Sequence, residues 1–322
     1  MIKKINLIVN PSEIAAGTRG ASLGPEAIKT AARNSKSHIF SKYKVAEIKN
    51  FNQILDNNEA TGYAKNIDNL IEVYKVVTAT ISDVVKNQSF PIVLAGDHAS
   101  AGATVAGLKN VLPNARIGVV WIDAHGDLHS PYTTPSGNMH GMPLSVILGE
   151  DNKPCQINPL NDSIIQKWEE LKAVGFSGAK VIPEDLIFVG VRDTEPEENE
   201  VMKRLELKNF SVEEVRKSGA KLIAIQILEK LMNCDAIYIS FDVDSMDPEL
   251  TSFGTGTPVA NGLSKEEAKE LLINLVKSEK VIAFELVEVN PCLDNKKNKM
   301  AEIAFELIES VIDTLENRGY GA

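Results

Sequence analysis

The segment IGVVWIDAHGD, residues 117–127, joins an apolar run rich in β-branched residues to two aspartates and a histidine. Runs with apolar residues at consecutive positions are typical of parallel strands that helices cover on both faces. We therefore predict a buried strand here and at five similar runs. These are INLIV near residue 5, PIVLAG at 91–96, LIFVGV at 186–191, AIYISFDVD at 236–244 and VIAFELVEV at 281–289.

Amphipathic helices are predicted between these strands. Ser264 followed by Glu267 has the spacing of a capping box and indicates a helix start. KLIAIQILEKL at 221–231 is compatible with either element, and its length favours a helix. Apolar residues at helical spacing form two stripes, Ile67, Leu70, Ile71, Tyr74, Val77, Ile81 and Val84, and Ile303, Leu307, Ile308, Val311, Ile312 and Leu315.

Strands that alternate with helices indicate an α/β protein with three α/β/α layers around a central parallel sheet. No linker or repeat interrupts the pattern, so we predict a single domain over residues 1–322. The stretch MIKKINLIVNPSEIAAG indicates a strand, and the sequence contains no run of 18 apolar residues. We therefore expect a cytoplasmic protein without a membrane span.

The composition narrows the class of partner. Of the 322 residues, 34 are Lys or Arg and 44 are Asp or Glu, which gives a net charge of −10. This charge disfavours nucleic acid and anionic membranes as partners and suits a small cationic substrate. Cys155, Cys234 and Cys292 are odd in number and far apart, so we predict packing residues of a reducing compartment. His38 is predicted to lie at the surface.

Acidic residues and histidines follow three of the predicted strands. Ligands of parallel α/β sheets bind at the carboxyl ends of the strands, where these residues lie. Side chains at i, i+2 and i+4 of an extended segment share a face, so we expect them to converge. Asp97 and its neighbour His98 follow PIVLAG, and the other clusters are Asp123, His125 and Asp127, and Asp242 and Asp244.

Four carboxylates in one cavity repel one another unless cations compensate them. Two divalent cations would do so. Ligands without thiolate favour Mn²⁺, with Mg²⁺, Fe²⁺, Co²⁺ and Zn²⁺ as alternatives. A single Asp-x-Asp pattern is more commonly a turn or a helix cap. Three clusters, with four of the five histidines between residues 98 and 140, favour a binuclear metal site. Asp97 and Asp247 are predicted to be local hydrogen-bond acceptors.

Six segments, spread over nearly the whole chain, stand in the order found in the ureohydrolase superfamily, and a seventh near the amino terminus resembles the glycine-rich opening of that superfamily. Within it, the chain resembles the arginase family. The resemblance implies the arginase/deacetylase fold with an eight-stranded parallel sheet, and a homo-oligomer, either a trimer or a hexamer. The segments are TRGASLGPEAI at 18–28, GDHAS at 96–100, DAHGDLHSP at 123–131, SGNMHGMP at 136–143, SFDVDSMDP at 240–248, GTGTPV at 254–259 and EVNP at 288–291.

The resemblance also implies a cofactor of two Mn²⁺ per subunit and a reaction. Metal-bound hydroxide attacks the guanidinium carbon of the substrate, and the tetrahedral intermediate gives urea and an amine. The implied catalytic residues are Asp127, His140 as proton shuttle and Glu288 as partner of the guanidinium. One metal would be held by His98, Asp123, Asp127 and Asp242, and the other by His125, Asp123, Asp242 and Asp244, with Asp123 and Asp242 as bridges.

Four further residues bear on the substrate. In the family, the loop matching Ser136 and Asn138 helps to hold an α-carboxylate, which favours L-arginine and the products urea and L-ornithine. Two positions depart from the usual pattern, because His129 stands where asparagine is expected and Glu195 where aspartate is expected. An imidazole can still donate to a carboxylate and a glutamate can accept from an α-ammonium. Alternatively, His129 lines the cavity wall or contacts a metal.

Other activities remain open at this point. A sister ureohydrolase would act on agmatine, guanidinobutyrate or formiminoglutamate. A deacetylase is expected to keep one zinc and a different histidine pair, and a two-metal phosphoesterase would need basic residues near the metals. A metal-binding protein without catalysis would not need Glu288 and His140.

Overall fold

A parallel sheet forms the centre of the structure, a computed structural model that describes residues 3–56 and 62–322. Its strand order is β2-β1-β3-β8-β7-β4-β5-β6, and β9 pairs with β1 beside β2. Every strand pair is parallel. The described strands are β1 (Lys3–Asn10), β2 (Lys44–Glu47), β3 (Ser89–Ala95), β4 (Ile117–Ile122), β5 (Leu186–Val189), β6 (Lys208–Phe210), β7 (Ala236–Asp242), β8 (Val281–Val287) and β9 (Tyr320–Gly321).

Helices cover both faces of this sheet. One apolar core lies between the sheet and α1, α2 and α8 to α11, and the other lies between the sheet and α3 to α7. The helices are α1 (Gly24–Asn34), α2 (Ile39–Lys42), α3 (Ile67–Lys86), α4 (Ser100–Val111), α5 (Pro143–Leu148), α6 (Asp162–Ala173), α7 (Pro196–Arg204), α8 (Val212–Ser218), α9 (Ala220–Lys230), α10 (Lys265–Val276) and α11 (Lys299–Asn317).

The predicted α/β/α architecture is confirmed. All six predicted strands are present, as β1, β3, β4, β5, β7 and β8, and both amphipathic stripes are helices, α3 and α11. The ambiguous segment 221–231 lies almost entirely within helix α9. Ser264 and Glu267 form the predicted capping box, in which the Glu267 amide donates to Ser264 Oγ at 3.1 Å. Sequence reasoning missed β2, β6 and β9, which have only two to four residues each.

Smaller predictions had mixed outcomes. His38 is exposed as predicted, and Cys234 is buried in the core. The prediction of packing cysteines is wrong for Cys292, which is exposed on the loop after β8, and Cys155 is only half-buried. Cys155 ends a short 3-10 turn, Lys153–Cys155, and Cys292 lies in a loop, and the apolar core covers neither thiol. Within residues 3–56 and 62–322, no helix has the length and apolar character needed to cross a membrane.

Candidate metal centre and active site

The polar clusters meet because β3, β8, β7 and β4 are successive neighbours in the sheet. Their carboxyl ends lie at one edge, and each is followed directly by polar residues. His98 follows β3, Glu288 follows β8, Asp244 lies just beyond β7 and Asp123 just beyond β4. The next strand, β5, leads into the segment that carries Glu195.

The predicted convergence of these side chains occurs, but the extended conformation predicted to cause it holds only in part. His125 still forms a parallel β-bridge with Asp193, and the chain departs from the extended conformation at Asp127 and after Asp242. Asp127 has a left-handed backbone with φ of 51°, and Val243–Ser245 forms a 3-10 turn. In each cluster an aspartate accepts a hydrogen bond from the amide two residues later, from His125 to Asp123 Oδ1 at 2.7 Å and from Asp244 to Asp242 Oδ1 at 2.8 Å.

The first cluster surrounds His98, whose side chain is almost fully buried. Its Nδ1 lies 3.0 Å from Asp123 Oδ2, 3.1 Å from Asp127 Oδ2 and 3.2 Å from Asp242 Oδ2. This nitrogen has no regular hydrogen-bond partner among the described residues. The other ring nitrogen, Nε2, lies 2.8 Å from Ser240 Oγ, and the ring stacks on Trp121 at 4.0 Å between centroids.

The second cluster shares Asp123 with the first. His125 Nδ1 lies 3.5 Å from Asp123 Oδ1 and 3.0 Å from Asp244 Oδ2. The two oxygens of Asp123 therefore face different clusters, as a bridging carboxylate requires. Asp242 places Oδ2 at the His98 cluster, while its Oδ1 accepts the Asp244 amide.

The charges of the two clusters are poorly balanced without a cation. Burial and the neighbouring carboxylates raise the pKa of Asp127, Asp242 and Asp244. Burial alone would raise the pKa of Asp123, but its contacts with His125 and His98 lower it. Burial alone would lower the pKa of His98, but its contacts with Asp123, Asp127 and Asp242 raise it. The His98 Nδ1 atom, which has no regular hydrogen-bond partner among the described residues, faces three carboxylate oxygens and no thiol. These donors fit two divalent cations of borderline or hard character.

A cavity of about 390 Å³ opens above the clusters. Asp123 lies beneath it and is completely buried. In the part of the chain that the structure describes, no Lys or Arg lines the cavity, whose wall is dominated by carboxylates and histidines. The other predicted site residues all line it, namely His98, His125, Asp127, His129, Ser136, Asn138, His140, Glu195, Asp242, Asp244 and Glu288.

Glu288 and His140 form an ion pair at one side of the cavity. His140 Nδ1 lies 3.1 Å from Glu288 Oε1, which also accepts the His98 amide at 3.0 Å. Burial alone would lower the pKa of His140, but the Glu288 carboxylate raises it to about 9. Glu288 has a left-handed backbone with φ of 66°, which its amide hydrogen bond to the Gly96 carbonyl helps to hold.

The residues that depart from the family pattern pair with each other. His129 Nε2 lies 3.3 Å from Glu195 Oε2, and its Nδ1 lies 3.2 Å from Thr133 Oγ1. Glu198 Oε2 is 3.8 Å from the same Nε2. His129 thus belongs with Glu195 and Glu198 to a third group that could hold a metal ion, and its ring nitrogens lie in neither of the two clusters that share Asp123.

Hydrogen bonds hold the loop that is predicted to bind the carboxylate of the substrate. The Asn138 amide donates to Ser136 Oγ at 3.1 Å, and Lys65 Nζ donates to Asn138 Oδ1 at 3.0 Å. Sequence reasoning missed Lys65, which no local pattern connects to a residue 73 positions away. It also missed Glu198, which accepts the Leu128 amide at 3.0 Å and the Glu195 amide at 3.1 Å. Its capping-box spacing from Glu195 was the available signal.

The two aspartates predicted to be local acceptors behave as predicted. Asp97 accepts hydrogen bonds from the Ala99 and Ala15 amides. Asp247 accepts the Glu249 amide at 2.9 Å within its own turn. Neither aspartate belongs to the two clusters that share Asp123.

The sequence is similar to those of known proteins over nearly its whole length. The model of the arginase family matches residues 3–313. The arginase of Staphylococcus aureus strain MSSA476 is 34% identical over 317 residues, with 95% of this chain and 96% of the relative covered. The arginase of Bacillus subtilis strain 168 is 31% identical over 320 residues, with 97% and 98% covered.

Solved structures give the same result. A crystal structure of arginase from Bacillus subtilis superposes with a TM-score of 0.77 at 31% identity, covering 96% of this chain and 98% of that one. The formimidoylglutamase of Bacillus subtilis shares the fold, with a TM-score of 0.73 at 18% identity over 98% of this chain and 88% of its own.

Proposed function

The chain belongs to the arginase family, and we propose that it hydrolyses the guanidinium group of L-arginine to urea and L-ornithine with two Mn²⁺ per subunit. The family makes it a hydrolase of guanidino or amidine C–N bonds. One observation carries the finer proposal, namely that two clusters share Asp123 at the base of a cavity whose wall holds the Glu288–His140 pair. The resemblance alone supports a homo-oligomer, a trimer or a hexamer, while the number and spacing of the cysteines favour the cytoplasm.

The metal ligands in this proposal are those that the sequence indicates. His98 and Asp127 would hold one ion and His125 and Asp244 the other, with Asp123 and Asp242 serving both. When bound, two dications neutralise the four carboxylates and activate a water molecule as the nucleophile. The hydrogen bonds that Asp123 and Asp242 accept from backbone amides fix the direction of their carboxylates before any ion binds.

Glu288 supplies the counter-charge for the substrate cation. A guanidinium is a weak electrophile because its charge is delocalised over three nitrogens, so it must be held in a fixed orientation. The Glu288 carboxylate is fixed by the His98 amide and by its own backbone hydrogen bond. A guanidinium bound there competes with His140 for the same carboxylate. His140 is then free to shuttle protons between the site and bulk water.

On the wall of the same cavity, Glu195 is the proposed partner of the α-ammonium, while Ser136, Asn138 and His129 are proposed to contact the α-carboxylate. One observation favours a second candidate. His129 Nε2 already contacts Glu195 at 3.3 Å. The imidazole is therefore not available to the α-carboxylate of a substrate alone. A sister ureohydrolase that acts on agmatine, guanidinobutyrate or formiminoglutamate is therefore the alternative.

The test is a comparison of four substrates with the Mn²⁺-loaded protein. We expect kcat/KM for L-arginine to exceed the values for agmatine and guanidinobutyrate by at least about tenfold, because only arginine offers both α-groups. Urea is measured for these three substrates and formamide for formiminoglutamate. Protein stripped with a chelator should be inactive and regain activity with Mn²⁺. A higher kcat/KM for any of the other three substrates would overturn the assignment to arginine.

The Glu288–His140 pair predicts a pH dependence. Since His140 has a pKa of about 9 in the free enzyme, it is protonated and paired with Glu288 at neutral pH, and it competes with the guanidinium. Its deprotonation frees Glu288, so kcat/KM for arginine should rise with pH through about 9 and level off above that value. We expect His140→Asn to lose this rise in kcat/KM. The same rise in the variant, at reduced activity, would assign it to another group.

A further inference from the structure

Glu285 is a buried carboxylate that the proposed reaction does not use. It lies in strand β8, is completely buried, and faces the core between the sheet and helices α3 to α7, like its neighbours Ala283 and Val287. Its Oε1 has no regular hydrogen-bond partner within the described part of the chain. Burying an acidic side chain in such a core is unfavourable unless other interactions compensate it.

A series of polar side chains connects Glu285 with the His98 cluster. The Tyr238 hydroxyl donates to Glu285 Oε2 at 2.8 Å. Ser240 lies two residues after Tyr238 on the same face of β7, and its Oγ is 2.8 Å from His98 Nε2. Tyr238, Ser240 and Glu285 are each completely buried, and His98 almost so, which shields the series from water.

The pairing of β7 with β8 places these groups together. Ser240 and Glu285 are direct partners in the parallel register, and Tyr238 lies two residues before Ser240 on the same face. Trp121, on which the His98 ring stacks, is the partner of Ser240 in the neighbouring strand β4. The series is therefore built into the centre of the sheet and does not depend on a loop.

The direction of these hydrogen bonds follows from the donors at the two ends of the series, the Tyr238 hydroxyl and the His98 ring. The Tyr238 hydroxyl proton points to Glu285, so the phenol oxygen can accept a hydrogen bond from the Ser240 hydroxyl. In that arrangement Ser240 Oγ accepts from the Nε2–H of His98. A histidine that carries its proton on Nε2 presents the lone pair of Nδ1, the nitrogen that faces three carboxylate oxygens, to a cation.

We propose that Glu285 is a positioning residue that, through Tyr238 and Ser240, holds His98 in the Nε2–H tautomer and so strengthens the binding of a divalent cation at Nδ1. This inference rests on the proposed metal centre. In the common arrangement, a carboxylate accepts a hydrogen bond directly from a metal-bound histidine. Here two hydroxyl groups lie between the carboxylate and the histidine. The purely structural alternative is that Glu285 only ties the sheet to the Ser100 and Thr104 hydroxyls of α4, which lie beside it.

The experiment measures the dissociation constant of Mn²⁺ by competition with a chelator, in the parent and in two variants. Tyr238→Phe removes both contacts of the phenol, and Glu285→Gln removes the charge while keeping the shape. Loss of such an outer partner lowers metal affinity about 10- to 100-fold. We expect the Mn²⁺ dissociation constant to rise by this factor for the more weakly bound ion or for both ions. The melting temperature of the metal-free protein should change little.

Tyr74→Phe is the matched control, because Tyr74 on α3 is an equally buried tyrosine in the same core. It should leave the Mn²⁺ dissociation constant unchanged. Equal constants in the parent, Tyr238→Phe and Glu285→Gln would overturn the proposal, as would an equal loss of affinity in Tyr74→Phe. Ser240→Ala breaks the link nearest to His98 and serves if a core variant fails to fold. A parent protein that binds no Mn²⁺ would instead refute the proposed metal centre.

Discussion

Asp123→Asn is expected to leave fewer than two metal ions bound and to lower urea release by at least about 10³-fold. The two oxygens of Asp123 lie at different clusters, 3.0 Å from His98 Nδ1 and 3.5 Å from His125 Nδ1. An amide offers one oxygen and no charge, so it cannot serve both ions. Metal content after desalting, measured by mass spectrometry, and arginine turnover in excess Mn²⁺ check the two parts of this prediction.

Asp247→Asn is the matched control for this change. It makes the same substitution on a turn beyond β7, and the amide oxygen can still accept the Glu249 amide. We expect this variant to keep two ions and turnover close to that of the parent. The assignment of Asp123 as a bridge would be contradicted if Asp123→Asn bound two ions and stayed within tenfold of the parent.

The residues that meet at the site could be predicted because the signals are local. Each strand is a short apolar run, and the clusters around Asp123 and Asp242 follow such runs directly. Parallel strands then bring these segments to one edge of the sheet. The chemistry of the donor set followed from residue type alone, since four carboxylates and two imidazoles without thiols indicate divalent cations.

The conformation beyond the strands could not be predicted in the same way. Alternation along an extended chain implied the right neighbours, but Asp127 adopts φ of 51° and the segment after Asp242 is a 3-10 turn. These conformations depend on backbone hydrogen bonds that a residue pattern does not show. Contacts between distant positions were also hidden, among them those of Lys65 with Asn138 and of His129 with Glu195, 66 residues apart.

Glu288→Gln is the second variant with a large expected effect. It should bind both metal ions normally and lose about 10²- to 10³-fold in kcat/KM for arginine, since truncating one partner of a buried charge pair costs about 2–5 kcal/mol. Glutamine keeps the Oε1 acceptor for the His98 amide, so the backbone beside the metal ligands should stay in place. Steady-state kinetics at saturating Mn²⁺ and metal content by mass spectrometry give the two values.

Glu285→Gln provides the comparison, because it removes a buried carboxylate from the same segment three residues earlier. Its expected effect is the reverse, weaker metal binding with activity that recovers as Mn²⁺ is raised. Glu288→Gln should not recover, since the guanidinium has lost its counter-charge and not its metal. It should also lose the pH dependence of kcat/KM that the His140 pair confers, because an amide does not raise the pKa of the imidazole. Kinetics equal to those of the parent would place the guanidinium away from Glu288.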